Sequence, residues 1–278
     1  MNMMSSTRTI CVLTLAILIT GCATTHHTKH NSNGLEPVPE IRHGILQGYL
    51  PMDTLPDSLA LIPAAPTTGS ARQVRDKEVS QRSLALRGSP RWDVATLDNN
   101  LGFPEAAGTF SCALNAPVTQ EETPQLYRLL RRTLADAGLS TYKAKNHYQR
   151  TRPFVSNGQP MCAPDDEAAL AKDGSYPSGH TAIGWAWALI LSEVSPEQTD
   201  AILSRGRAFG QSRVVCNVHW QSDVNEGRFM GAAAVARLHS DPAFLSAILE
   251  AKIELERVRA LGLSPQRDCA AETAALSH

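Results

Sequence analysis

The chain has 278 residues, 42% of them hydrophobic, and a formal net charge of −1. That length and apolar content suit one globular domain, or at most two small ones. The balanced charge excludes a nucleic-acid partner recognised by bulk electrostatics, so basic residues matter here as a few placed charges.

The first elements are targeting signals. Arg8 supplies a short positive region, and Cys11 to Thr20 (CVLTLAILIT) is an apolar stretch too short to span a bilayer comfortably. It ends in Ile19-Thr20-Gly21-Cys22, which resembles the lipobox of bacterial lipoproteins. On that reading residues 1–21 are a signal peptide and Cys22 becomes the acylated first residue. The expected location is the periplasm, tethered by lipid to a bacterial membrane, the outer one by preference. Residues 22–48 are read as lipidated cysteine plus flexible tether, with His26, His27 and His30 as solvated tether residues rather than metal ligands.

Residues 49–262 form the expected domain, and 263–278 a C-terminal tail. Residues 49–68 are rich in proline and small side chains and predict an extended arm over the domain. Helical spacing follows over Ser70–Leu86 and Arg91–Asn99. Thr123-Pro124 opens a helix through Ala137, with Leu126, Leu129, Leu130 and Leu134 as its core stripe and Gly138 as its stop. Residues 155–176 are mostly loop. Ser178–Val194 is a central buried helix, followed by helices over Pro196–Gly210, Val218–Leu238 and Pro242–Leu261. The last has Phe244, Leu245, Ile248, Leu249 and Ile253 on one face. With no alternating pattern, the fold class is all-α: a single helical-bundle domain with a central buried helix, preceded by lipoprotein signal and tether. No stretch after the signal is long and charge-free enough to cross a membrane.

Without Cys11 and Cys22, four cysteines remain: Cys112, Cys162, Cys216 and Cys269. An even number in an exported chain predicts two disulfides. Three pairings satisfy four cysteines; Cys112–Cys162 with Cys216–Cys269 is preferred, because each closes a loop of moderate length. No cysteine or histidine spacing predicts a metal site.

Three separated motifs carry the chemistry. In the first, Lys145 and Arg152-Pro153 lie in a dense basic segment with Lys143 and Arg150. Arginine offers a planar fork that matches phosphate oxygens, and lysine adds a compact charge. In the second, Pro177-Ser178-Gly179-His180 opens the apolar helix. A helix N-terminus presents free N–H groups to an anion, and Gly179 allows close approach. In the third, Ser212-Arg213 precedes His219 and Asp223. On a helix, His219 and Asp223 would share a face, with the carboxylate on Nδ1–H and the Nε2 lone pair free as a nucleophile. Alone, each motif has an ordinary explanation: a solvated basic face, a capped helix, a surface His–Asp pair.

Together they resemble the signature K-x6-R-P, P-S-G-H, S-R-x5-H-x3-D of the type-2 phosphatidic acid phosphatase superfamily, which also covers vanadium haloperoxidases and glucose-6-phosphatase-like enzymes. All eleven fixed positions match in order. The flanks His147-Tyr148, Gly174-Ser175-Tyr176 and Trp220-Gln221-Ser222 look like the class A bacterial nonspecific acid phosphatases. The resemblance implies that Lys145, Arg152 and Arg213 clamp the phosphoryl oxygens, with Ser178 and the Gly179 N–H adding hydrogen bonds. It makes His219 the nucleophile, Asp223 its orienting partner, and His180 the general acid and then base. It implies small phosphorylated substrates such as nucleotides or sugar phosphates, no cofactor, no metal, and a homodimer as the assembly typical of relatives. Two neighbouring readings stay open: a phosphatase of lipid or lipid-carrier phosphates, and a vanadate-dependent haloperoxidase. An inactive phosphate-binding lipoprotein is the reading outside enzymes.

Overall fold

The computed structural model describes Met1 and residues 36–277. The signal segment, the expected lipidation at Cys22, the histidines at 26, 27 and 30, and the tether through residue 35 lie outside the described residues.

The described chain opens with a hairpin, β1 (Glu40–Arg42) and antiparallel β2 (Ile45–Leu46), turned at Gly44 with φ +78°. The helices follow: α1 (Ser58–Leu61), α2 (Ala71–Ser83), α3 (Pro90–Leu97), α4 (Ser111–Leu114), α5 (Pro124–Leu139), α6 (Tyr142–Tyr148), α7 (Pro153–Asn157) and α8 (Glu167–Leu170). The second half holds α9 (Gly179–Val194), α10 (Thr199–Val215), α11 (Gln221–Leu238), α12 (Pro242–Ala260) and α13 (Cys269–Leu276). The fold is therefore mostly helical. The expected helical architecture holds, with one short hairpin added within the segment read as tether; five strand residues are too few to show an alternating pattern. Side chains of α5 fasten it, with Arg131 donating to the Gly44 carbonyl and Asp136 accepting the amide protons of Tyr49 and Leu50.

Helix α9 is the buried centre. It is apolar on all sides because α5, α10, α11 and α12 surround it. Trp187, fully buried, donates its indole N–H to the Leu130 carbonyl of α5 at 3.0 Å. Truncating such a side chain to alanine costs about 3–5 kcal/mol. Small residues set how closely α11 approaches. A Cβ at Gly227 would lie 2.5 Å from the Ser178 carbonyl oxygen, and one at Gly231 equally close to that of Ala182. The stripe Leu126, Leu129, Leu130 and Leu134 is buried as its spacing predicts. Gly138, expected as a stop, is a packing residue against Ile183, and α5 runs one residue past it.

Three further expectations are corrected. The apolar face of α12 is split: Phe244 is buried with Ala251, Leu255 and Val258, whereas Leu245, Leu249 and Ile253 form a separate exposed stripe four residues apart. The tail contains α13, anchored by Glu272 to the buried Arg205 at 3.3 Å. The disulfides are Cys112–Cys269 and Cys162–Cys216, with Cα separations of 5.4 and 4.8 Å, not the pairing with shorter first loop. Packing brings these Cα atoms within bridging distance, and loop length does not decide between pairings. Among the described residues, no helix is long and apolar enough to cross a membrane.

Candidate active site

The three motifs converge on one cavity of about 250 Å³, lined by Lys145, Arg152, Gly179, His180, Arg213 and His219. Ser178 and Asp223 stand immediately behind it, both fully buried.

Each group is delivered by a helix end. Lys145 lies in the last turn of α6, which Gln149 terminates with φ +43°. Arg152 is the residue before Pro153 and caps α7. Ser178 caps α9, its Oγ accepting from the Thr181 amide at 3.2 Å, so Gly179 and His180 occupy the first turn with its free N–H groups. Arg213 lies in the last turn of α10.

His219 reaches the site by a route different from the expected one. Asn217, at φ +62°, breaks the chain after α10, and α11 starts only at Gln221. His219 therefore precedes the helix. Asp223, in the first turn, folds its carboxylate back over the entry: Oδ2 accepts from the Trp220 amide at 2.8 Å and from His219 Nδ1 at 3.3 Å. The expected pair forms, through a helix-capping carboxylate rather than a shared helical face. With Nδ1 donating, Nε2 carries the lone pair, and it accepts from Arg152 Nη1 at 3.0 Å.

Backbone carbonyls orient the cations. Lys145 Nζ donates to the Gly174 carbonyl at 2.7 Å, and Arg152 donates to the carbonyls of Asp173 and Val218. Arg213 donates through Nη1 to Asn99 Oδ1 at 2.8 Å, while its Nε and Nη2 are buried without a partner among the described residues. Two unpaired donors on a buried guanidinium beside two further cations suit an oxyanion.

Electrostatics follow from burial. Burial, and then Arg213, holds His180 well below the usual histidine range. Burial, and then Arg152, Lys145 and Arg213, does the same to His219. Lys145 is pulled down to about 8, by burial first and Arg152 second. Burial raises the Asp223 carboxyl, and Arg150 opposes it.

Four residues outside the motifs complete the site. Asn99 holds Arg213 through its amide and His180 through its carbonyl, which accepts from Nε2 at 2.9 Å. Arg150 donates to Asp223 Oδ1 at 2.6 Å and to Asp76 Oδ2 at 2.7 Å. Asp173 pairs with Arg152 at 2.9 Å. Only Arg150 had a sequence signal, as part of the basic cluster. Among the described residues, no group of three or more His, Cys, Asp or Glu is placed to hold a metal ion.

An imidazole with its Nε2 lone pair turned to the cavity, a second imidazole and three cations can bind a phosphoryl group and, once Arg152 yields Nε2, move it onto nitrogen. Comparison with known proteins shows the family. The PAP2 superfamily model matches residues 128–245. A non-specific acid phosphatase of Providencia stuartii is 44% identical over 212 residues, covering 76% of this chain and 86% of the relative. One of Salmonella typhimurium is 42% identical, covering 70% of this chain and 78% of its own. An acid phosphatase of Zymomonas mobilis is 40% identical, covering 75% and 79%.

Proposed function

Since the chain belongs to the class A bacterial non-specific acid phosphatases of the PAP2 superfamily, we propose that it hydrolyses small phosphate monoesters through a phosphohistidine on His219. As an acid phosphatase of broad specificity it is a phosphoric monoester hydrolase. The observation that carries the mechanism is His219 itself: Nδ1 held by Asp223 and Nε2 presented to a cavity walled by Lys145, Arg152 and Arg213.

Nε2 attacks phosphorus as the ester P–O bond breaks, and His180 gives its proton to the leaving oxygen. The Asn99 carbonyl can only accept, so it fixes the His180 proton on Nε2 and leaves Nδ1 to exchange the catalytic proton. Water then attacks phosphorus with His180 as base, and the P–N bond breaks. Asp223 stabilises the charge that develops on His219. Three fixed cations supply the charge neutralisation that phosphoryl transfer needs, which supports a metal-independent reaction. Leu101, Leu134, Tyr142, Ile183 and Arg42 also line the cavity, which suits soluble esters with an apolar or aromatic leaving group, such as nucleotides.

We also place the enzyme in the periplasm, held by lipid at Cys22; two disulfides accord with an oxidising compartment. The function is tested by trapping labelled phosphoenzyme at alkaline quench and mapping it. Label on His219, lost in His219→Ala, is expected; label on another residue overturns the nucleophile. A panel of p-nitrophenyl phosphate, a nucleotide and a phosphatidate, with and without EDTA, tests substrate class and metal independence.

A further inference from the structure

Asp173 belongs to none of the three motifs, yet its carboxylate stands in the cation cradle. Oδ2 accepts from Arg152 Nη2 at 2.9 Å and lies 3.6 Å from Lys145 Nζ. The Asp173 side chain keeps 34% of its exposure, against 4% for Lys145 and 2% for Arg152. The carboxylate is therefore the outermost member of the cluster, and it lines the cavity beside His180 and His219.

The two cations do not need this carboxylate for their orientation. Arg152 is held by the carbonyls of Asp173 through Nε, Val218 through Nη1 and Gly174 through Nη2. Lys145 is held by the carbonyl of Gly174. That turn is fixed by its own backbone: a Cβ at Gly174 would lie 2.8 Å from the Lys145 carbonyl oxygen, so glycine permits the close approach whatever side chain residue 173 carries. A carboxylate that is dispensable for positioning, and that occupies donors a phosphoryl group requires, competes with that group. The same guanidinium also contacts His219 Nε2, so a phosphoryl group approaching the nucleophile must draw Arg152 off both.

We infer that Asp173 is a resident counter-anion of the phosphate site, occupying Lys145 and Arg152 in the resting enzyme and displaced by the phosphoryl group, so that it limits how tightly product phosphate is held. The inference rests on the reading of the cavity as the phosphoryl site. In the free enzyme the carboxylate offsets repulsion between two buried cations. In the complex it remains beside the oxyanion as a like charge, which weakens the hold on product and speeds its release.

The test is inhibition of p-nitrophenyl phosphate hydrolysis by inorganic phosphate and by orthovanadate, in wild type, Asp173→Asn and Asp173→Ala. Both variants are expected to lower the inhibition constants of both oxyanions by about fivefold or more, with KM falling alongside and kcat not rising. A gain in affinity separates displacement from a structural role, since a loosened site would bind oxyanions more weakly. Inhibition constants that stay unchanged or rise in both variants overturn the inference. Wild-type protein that neither turns over the ester nor responds to vanadate overturns the site reading itself, and the counter-anion with it.

Discussion

Arg150 donates to Asp223 through a 2.6 Å contact between Nη1 and Oδ1, an ion pair buried behind the nucleophile. The other carboxylate oxygen serves His219 and the α11 entry, so the pair couples the fold's interior to the reacting imidazole. The far side of the guanidinium is held by Asp76, which also accepts the amide and hydroxyl protons of Ser222.

Replacing Arg150 with methionine should therefore impair both folding and catalysis. Removing one partner of a buried pair costs about 3–5 kcal/mol. Without its countercharge Asp223 takes up a proton more readily, and a neutral carboxyl supports the wrong imidazole arrangement. A fall in kcat of roughly 100-fold or more is expected for the folded fraction, with a lowered thermal midpoint. Wild-type kcat in Arg150→Met would refute the coupling.

The pH dependence has a definite sign. Both histidines are held well below the usual range, so His219 stays neutral and nucleophilic through mildly acid pH. No fall in kcat/KM is expected on its account near pH 6.5, the ordinary histidine value. On the alkaline side Lys145 loses its proton through about 8, and with it a charge that binds the phosphoryl oxygens. His180 must carry a proton to act as the acid, so kcat/KM falls first as pH rises above its lowered value, and loss of the Lys145 proton through about 8 adds a second fall. Lys145→Arg, charged throughout, should lack this break while losing some activity to geometry. A profile still rising beyond pH 9 would contradict the assignment.

Asn99 offers a way to separate the two cavity functions it supports. Asn99→Ala removes the acceptor of Arg213 but keeps the backbone carbonyl that orients His180. The expected result is weaker phosphate inhibition and a higher KM, by about tenfold, with kcat less affected. An effect confined to kcat would instead place Asn99 with the general acid.

The two disulfides should differ in consequence. Cys162–Cys216 closes 54 residues of sequence and sits at the C-terminal end of α10, three residues from Arg213. Cys112–Cys269 spans 157 residues and ties α13 to α4. Each should stabilise by about 4–5 kcal/mol on chain-entropy grounds. Cys162→Ser with Cys216→Ser should lower stability and raise KM together, whereas Cys112→Ser with Cys269→Ser should lower stability with KM unchanged. Denaturation midpoints and kinetics on the two double variants distinguish them.

What the sequence made legible was local. The Leu126–Leu134 stripe, the Ser178 cap and the apolar α9 all follow from short-range patterns, and the motif residues carry their chemistry in their order. The partners that tune them do not. Asp173, Asn99 and Asp76 are ordinary polar residues until folding brings them to Arg152, Arg213 and Arg150, over sequence distances of 21, 114 and 74 residues. The disulfide pairing failed for the same reason, because tertiary packing chooses it. The His219–Asp223 contact was expected for a spacing that also permits a second geometry, the one in which the acid caps the helix it begins.

The close approach at Gly227 bears on how the enzyme meets heat. There the α11 backbone rests against the residue that starts α9, so the segments delivering His219 and His180 are registered by main-chain contact rather than through loops. The separation between nucleophile and proton donor is thereby tied to the integrity of the hydrophobic interior. Loss of activity on warming should therefore coincide with cooperative melting of the domain, and activity lost well below the melting midpoint would contradict this contact as the tie between the two histidines.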